Sequence, residues 1–225
     1  MLARYIDHTI LKPTTSHIEI SKICGEAVEY GFAAVCVPPP YVPGAGRELG
    51  GRGGVRVATV IGFPFGYSVA GAKLAETEQA LADGADEVDV VINLIALKAG
   101  NWAPLEAEMR LLTARIHGAG KIVKVIIESG VLTDEEIIQC CKVYSRIGVD
   151  FLKTSTGYAE KGATVEAVRL MRAHLPPEVR IKASGGIRTA ALAQQLIDAG
   201  ADRLGCSASV EIVKAEAAAI GGYQI

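Results

Sequence analysis

The chain carries no surplus of positive charge. Its 23 Lys and Arg are set against 25 Asp and Glu, a formal net charge of -2. There is thus no basic field to recruit a nucleic acid through its phosphates. Long apolar runs are also missing. The hydrophobic stretches are strand-sized and end in Gly, Pro or charge, so no membrane span is expected. The opening Met1-Leu2-Ala3-Arg4-Tyr5-Ile6-Asp7 lacks the long apolar segment of a secretory signal. The five cysteines are odd in number and form no CxxC pair, which argues against a disulfide framework or a zinc knuckle. The expectation is a cytoplasmic protein with reduced thiols. His8, His17, His117 and His174 are scattered without HxH or HExxH spacing, so no metal is expected. Phosphate-loop and GxSxG patterns are absent as well.

What is present is alternation. Short β-rich runs (Tyr5–Ile10, Ala33–Val37, Arg56–Gly62, Glu87–Ile92, Val123–Ile127, Phe151–Lys153, Arg180–Ala183 and Arg203–Cys206) are separated by seven helical stretches, and an eighth follows the last. Ala70–Ala82 is Ala-, Glu- and Leu-rich, Thr133 with Glu136 forms a capping-box pattern, and Thr189–Ala199 is amphipathic. Strict alternation implies parallel strands covered by helices. Continuous apolar strands such as Val123–Ile127 fit burial on both faces. Eight units within 225 residues predict one domain over residues 1–225, an α/β (β/α)₈ TIM barrel. A doubly wound open sheet is the alternative. A weak repeat favours closure: Gly31, Gly84, Gly148 and Gly200 precede the even-numbered strands at spacings of 53, 64 and 52 residues. Each is suited to a left-handed helix end. The Gly-rich stretch Gly44–Gly54 reads as a short helix and turn rather than a domain boundary.

In a barrel, the carboxyl ends of the strands face the catalytic side. Charges embedded in these apolar strands therefore mark a candidate site, because a buried charge is kept only where it is paired or used. Asp89, Lys153 and Lys182 lie in strands 4, 6 and 7, on one side of the ring, and Lys124 in strand 5 is a fourth. Each alone reads equally well as a structural ion pair or a strand-end lysine. Together they suit Schiff-base chemistry. A lysine attacks a carbonyl only as the free amine, and a neighbouring cation or a dry pocket lowers its pKa. Lys182 is suited to perturb Lys153, and Asp89 to move protons during dehydration and enamine formation. Lys153 is preferred as nucleophile because small residues follow it (Thr154-Ser155-Thr156-Gly157), whereas Lys182 precedes Ser184-Gly185-Gly186.

Gly185-Gly186 after strand 7 and Gly205-Cys206-Ser207 after strand 8 match the position where barrels bind phosphate with backbone N–H groups. Thr156-Gly157 is suited to add donors. Asp7-His8-Thr9 ends strand 1 near the catalytic face, where Asp7 serves either local hydrogen bonding or contact with a substrate hydroxyl. Cys36, Trp102 and Pro38-Pro39-Pro40 read as structural.

At these same residues the sequence resembles the deoxyribose-phosphate aldolase family. The matching segments are Ile6–Pro13, Val35–Pro38, Val60–Gly66, Glu87–Asn93, Lys124–Glu128, Phe151–Gly157, Lys182–Arg188 and Leu204–Ser207. They run in order from strand 1 to strand 8. The resemblance implies reversible cleavage of 2-deoxy-D-ribose 5-phosphate to D-glyceraldehyde 3-phosphate and acetaldehyde in deoxyribose phosphate catabolism. It implies the Schiff base at Lys153, proton relay at Asp89 and pKa lowering by Lys182. It also implies phosphate held at Gly157, Gly185, Gly186, Gly205 and Ser207, no metal or organic cofactor, and a homodimer or homotetramer. Asp7, Lys124 and Thr156 complete the expected substrate-binding set. Three positions depart from or blur the pattern. Ala208 stands where some members have a second serine, and Tyr158 where some have a basic residue. Tyr223 precedes Gln224-Ile225, although the family's tail often ends in tyrosine. Two rival readings are a phosphosugar isomerase or transaldolase-like barrel, and a phosphosugar-binding barrel without turnover.

Overall fold

The computed structural model describes residues 1–221. Eight strands, β1 (Ile6–Thr9), β2 (Ala34–Val37), β3 (Arg56–Ile61), β4 (Glu87–Val91), β5 (Ile122–Ile126), β6 (Phe151–Lys153), β7 (Arg180–Ser184) and β8 (Arg203–Cys206), form a closed barrel in sequence order. Every pair is parallel, and the ring closes where Asp7 of β1 lies beside Gly205 of β8. That pairing excludes the open sheet. Each strand begins and ends within one residue of its expected limits.

The helices are α1 (His17–Tyr30), α2 (Val42–Leu49), α3 (Ala70–Ala82), α4 (Leu94–Lys98), α5 (Trp102–Gly118), α6 (Asp134–Ile147), α7 (Val165–His174), α8 (Ala190–Asp198) and α9 (Ser209–Gly221). Local chemistry sets several of their ends. Thr133 and Glu136 form the expected reciprocal cap on α6, and Ser16 with Glu19 does the same on α1. The four repeat glycines all take positive φ, from 69° at Gly31 to 111° at Gly200. This is the left-handed turn that stops a helix and feeds the next strand. One expected helix is divided. Between β4 and β5 the chain makes α4, breaks at Gly100 with φ 68°, and restarts as α5. The Asn93 side chain accepts the Ala96 N–H at the start of α4. Gly44–Gly54 is a short helix and turn, as its composition predicts. Among the described residues no helix is long and apolar enough to cross a membrane.

Side chains alternate across each strand, and the register fixes which of them share the barrel interior. Ala34, Cys36, Ala58 and Val60 fill one sector with small apolar groups. The opposite sector is ionic. Asp89 lies level with Lys124, Lys153 with Lys182, and Lys182 with Arg203. The barrel therefore brings charges from β1, β4, β5, β6, β7 and β8 to one axis, while the helix layer buries the outward-facing aliphatic residues.

Candidate active site

Charges withdrawn from water survive only in a dense network of partners. Lys124, Lys153, Lys182 and Arg203 are all buried, as are Asp7, Glu87 and Asp89. Asp89 Oδ2 accepts from Lys153 Nζ at 2.8 Å and from Lys182 Nζ at 2.7 Å. Its Oδ1 accepts from Lys124 Nζ at 2.7 Å. Lys124 also reaches Glu87 at 2.6 Å. Arg203 bridges Glu87 and Asp7, and Lys182 donates to the other oxygen of Asp7. Four buried cations thus face three carboxylates. Lys182 and Lys124 each hold two close carboxylates, whereas Lys153 has Asp89 alone.

This asymmetry separates the lysines chemically. Burial lowers the ammonium pKa of all three. Asp89 and Glu87 more than reverse that effect at Lys124, and Asp7 and Asp89 do so at Lys182, so both are raised. Lys153 ends below the ordinary lysine value. Burial is the largest cause, Asp89 partly opposes it, and Lys182 adds to it. The expected influence of the second cation is present, but the dry surroundings come first. Burial pushes the Asp89 carboxyl up, yet the three ammonium groups together hold it well below the carboxylate range.

Replacing Lys182 with methionine removes the like charge and leaves Asp89 Oδ2 to Lys153 alone. Both changes favour protonated Lys153. The acidic limb of the kcat/KM profile is expected to move to higher pH, with turnover at neutral pH falling on the order of 10²-fold. A pH–rate profile with the limb unmoved would remove Lys182 from the tuning of Lys153.

Above the network opens a cavity of about 700 Å³. Lys153, Thr156 and Gly157 line one side of it, and Gly185, Gly186, Gly205 and Ser207 another. The structure therefore brings the expected phosphate loops and Lys153 to one space. Gly157, Gly185 and Gly186 all have positive φ, between 78° and 88°. The β6 and β7 loops meet at glycine: a Cβ on Gly162 would lie 2.2 Å from the Gly185 carbonyl oxygen.

Asp7 and Lys124, expected to touch substrate, do not line this cavity. Both oxygens of Asp7 are taken by Lys182 and Arg203, and Lys124 is spent on Glu87 and Asp89. Their position is beneath the cavity-lining Lys153, as supports of the ion network. Asp89 and Lys182 also lie below the cavity surface; Asp89 bonds Lys153 directly, and Lys182 is linked to it through Asp89. Tyr158, at the position where some members are basic, donates its hydroxyl to the Leu11 carbonyl at 2.9 Å and packs edge-on against Phe63. Tyr223 lies outside the described residues.

Sequence reasoning missed Glu87, Arg203, Glu128 and Gly162. Glu87 sits two residues before Asp89 and Arg203 two before Gly205, so strand parity alone places each with the inward-facing set. Gly162 acts through a close backbone approach and Glu128 through a carboxylate that reaches Thr156 on another loop, and no pattern in the sequence displays either.

A closed barrel, a cavity-facing lysine on a buried aspartate and glycine loops at the cavity wall together define an enzyme of the barrel aldolase class. The sequence pattern of the DeoC/LacD family aldolases matches residues 1–217, and the chain belongs to that family of carbon–carbon lyases. It is 48% identical over 212 residues to a deoxyribose-phosphate aldolase of Exiguobacterium sp., covering 94% of this chain and 95% of that one. It is 48% identical over 214 residues to one of Thermococcus gammatolerans, covering 95% of each. Among solved structures, QR15, an aldolase, is similar with a TM-score of 0.91 and 36% identity, covering 99% of both chains. A tetrameric deoxyribose phosphate aldolase from Aeropyrum pernix gives a TM-score of 0.88 and 31% identity, covering 97% of this chain and 92% of that one.

Proposed function

We propose that the protein is a class I aldolase that reversibly cleaves 2-deoxy-D-ribose 5-phosphate to D-glyceraldehyde 3-phosphate and acetaldehyde in deoxyribose phosphate catabolism. One observation carries this reading. Of the three lysines around Asp89, Lys153 alone opens onto the cavity, and it alone has its ammonium form disfavoured. That combination favours the free amine at the wall of the cavity that Lys153 shares with the glycine loops.

In this reading the neutral Lys153 Nζ adds to C1 of the open-chain sugar. Water leaves from the carbinolamine as the positively charged imine forms, with Asp89 as proton carrier through Lys153, Lys182 or water. The C2–C3 bond then breaks. Its electron pair moves into the iminium to give an enamine, and the C3 hydroxyl loses its proton as it becomes the aldehyde of glyceraldehyde 3-phosphate. Protonation of the enamine carbon and addition of water release acetaldehyde and restore the amine. The iminium is the electron sink, so the reaction needs no metal or organic cofactor. Gly157, Gly185, Gly186, Gly205 and Ser207 are the proposed phosphate donors, and Thr156 a contact to the sugar.

The substrate is thus a small phosphosugar, with neither nucleic acid nor membrane as partner. A cytoplasmic setting is supported by five cysteines that are all buried and unpaired. Assembly as a homodimer or homotetramer is supported by the tetrameric Aeropyrum pernix relative.

The test is reductive trapping. Incubation with deoxyribose 5-phosphate and borohydride is expected to stop turnover and leave a covalent adduct on the peptide containing Lys153. A phosphosugar isomerase leaves no such adduct, and an adduct on Lys182 would reverse the two lysine roles.

A further inference from the structure

Glu128 has no part in the chemistry described above, yet its conformation is unusual. It is the one non-glycine residue with positive φ among the described residues, at φ 55° and ψ 57°. A β-carbon makes that conformation costly, so it persists only where the surroundings hold it. What holds it here is the turn after β6. Glu128 is buried, and its carboxylate accepts the Thr156 N–H at 3.2 and 3.3 Å and the Thr156 hydroxyl as well. The Thr156 hydroxyl in turn accepts the Tyr158 N–H at 3.1 Å. Tyr158 is pinned by its own hydroxyl to Leu11 across the cavity mouth.

Counting protons at Thr156 Oγ1 gives the consequence. A hydroxyl has one proton and two lone pairs. The proton goes to Glu128, one lone pair goes to Tyr158 N–H, and one lone pair remains. Thr156 lines the cavity, so it presents an acceptor there and no donor.

We propose that Glu128 is a positioning residue that fixes the hydrogen-bond polarity of Thr156, so that this side chain receives a substrate hydroxyl while the backbone of the glycine loops holds the phosphate. The inference rests on the aldolase reading and deepens it by dividing the cavity into a hydroxyl-accepting and an anion-binding part. Glu128→Gln tests it with almost no change of shape. The amide oxygen keeps the Thr156 N–H, but the amide NH₂ now donates to Oγ1 and turns the hydroxyl proton toward the cavity.

The expected result is a KM for deoxyribose 5-phosphate raised about tenfold with kcat within about threefold of wild type. Inhibition by inorganic phosphate should be no weaker than in wild type. Thr156→Val should raise KM similarly, Thr156→Ser should restore it, and adding Glu128→Gln to Thr156→Val should change KM by less than about twofold. The Thr156 pair keeps the test open if Glu128→Gln does not fold, since an unchanged KM in Thr156→Val overturns the proposal by itself. An unchanged KM in Glu128→Gln also overturns it, as does an undiminished effect in the Thr156→Val background or weakened phosphate inhibition. Acetaldehyde trapping on Lys153 separates this failure from that of the aldolase reading. An absent adduct in wild type overturns both, whereas an adduct in both proteins with KM unchanged overturns the Glu128 role alone.

Discussion

Replacing Lys153 with leucine is expected to lower deoxyribose 5-phosphate cleavage by about 10⁴-fold or more while leaving the protein at least as stable as before. The loss follows from the nucleophile: no other lysine of the network reaches the cavity, and the neighbouring pair hold their protons more firmly than an ordinary lysine. The stability expectation follows from the charge balance. With Lys153 gone, Lys124, Lys182 and Arg203 face Asp7, Glu87 and Asp89 one for one, and Asp89 keeps two ammonium donors. The pH dependence gives the sign. The Lys153 pKa is lower in the folded protein than the ordinary 10.5. Between those two values the unfolded chain binds more protons, so this residue's contribution to stability improves as pH rises. Its cost is fully present below the folded value and gone above 10.5. The leucine variant should therefore gain most below the folded value, and the gain should shrink toward alkaline pH. Denaturant midpoints of both proteins across that range, with a steady-state assay, measure it. Turnover retained by the variant would end the nucleophile assignment.

Much of this arrangement was legible in the sequence, for a physical reason. A parallel barrel buries both faces of its strands, so a charge inside an apolar run stands out against its neighbours. Asp89, Lys124, Lys153 and Lys182 were recognisable on that ground. What could not be read is which charge meets which. The Asp7 partners Lys182 and Arg203 are 175 and 196 residues away, and only ring closure brings them together. Asp7 thus reads with the carboxyl end of strand 1, whereas it is the second residue of β1, and its engagement below the cavity stayed hidden. The same limit applies to Glu128, whose part depends on a single left-handed residue. The division between α4 and α5 was missed because Gly100 follows an unbroken run of helix-forming residues. The four repeat glycines, by contrast, each sit directly before an apolar strand, and all four behaved as helix stops.

Asp89→Asn is the second large expected effect, and it acts on stability and activity by different routes. Asparagine fills the same space but brings no charge, and its amide NH₂ must face at least one of three ammonium groups. Four buried cations are then left with two carboxylates. Removing one partner of a buried ion network costs about 3–5 kcal/mol, to be read as a lower denaturant midpoint. The cost has a defined pH window. The Asp89 carboxyl sits well below its ordinary 3.8 in the folded protein, so the stabilisation it gives is complete above that value and disappears as pH falls through the folded one. The midpoints of wild type and variant should converge only in strong acid. Catalysis is expected to fall on the order of 10³-fold, yet not for want of a nucleophile. Without Asp89 opposing burial, Lys153 holds its proton still less firmly, and more of it is the free amine. Borohydride should therefore still trap acetaldehyde on Lys153 in the variant, but more slowly, because the dehydration that forms the iminium is one of the proton-transfer steps Asp89 serves. A variant that traps normally and turns over normally would show that the carboxylate serves the fold alone, and the proton path would then have to run through Lys182 or solvent.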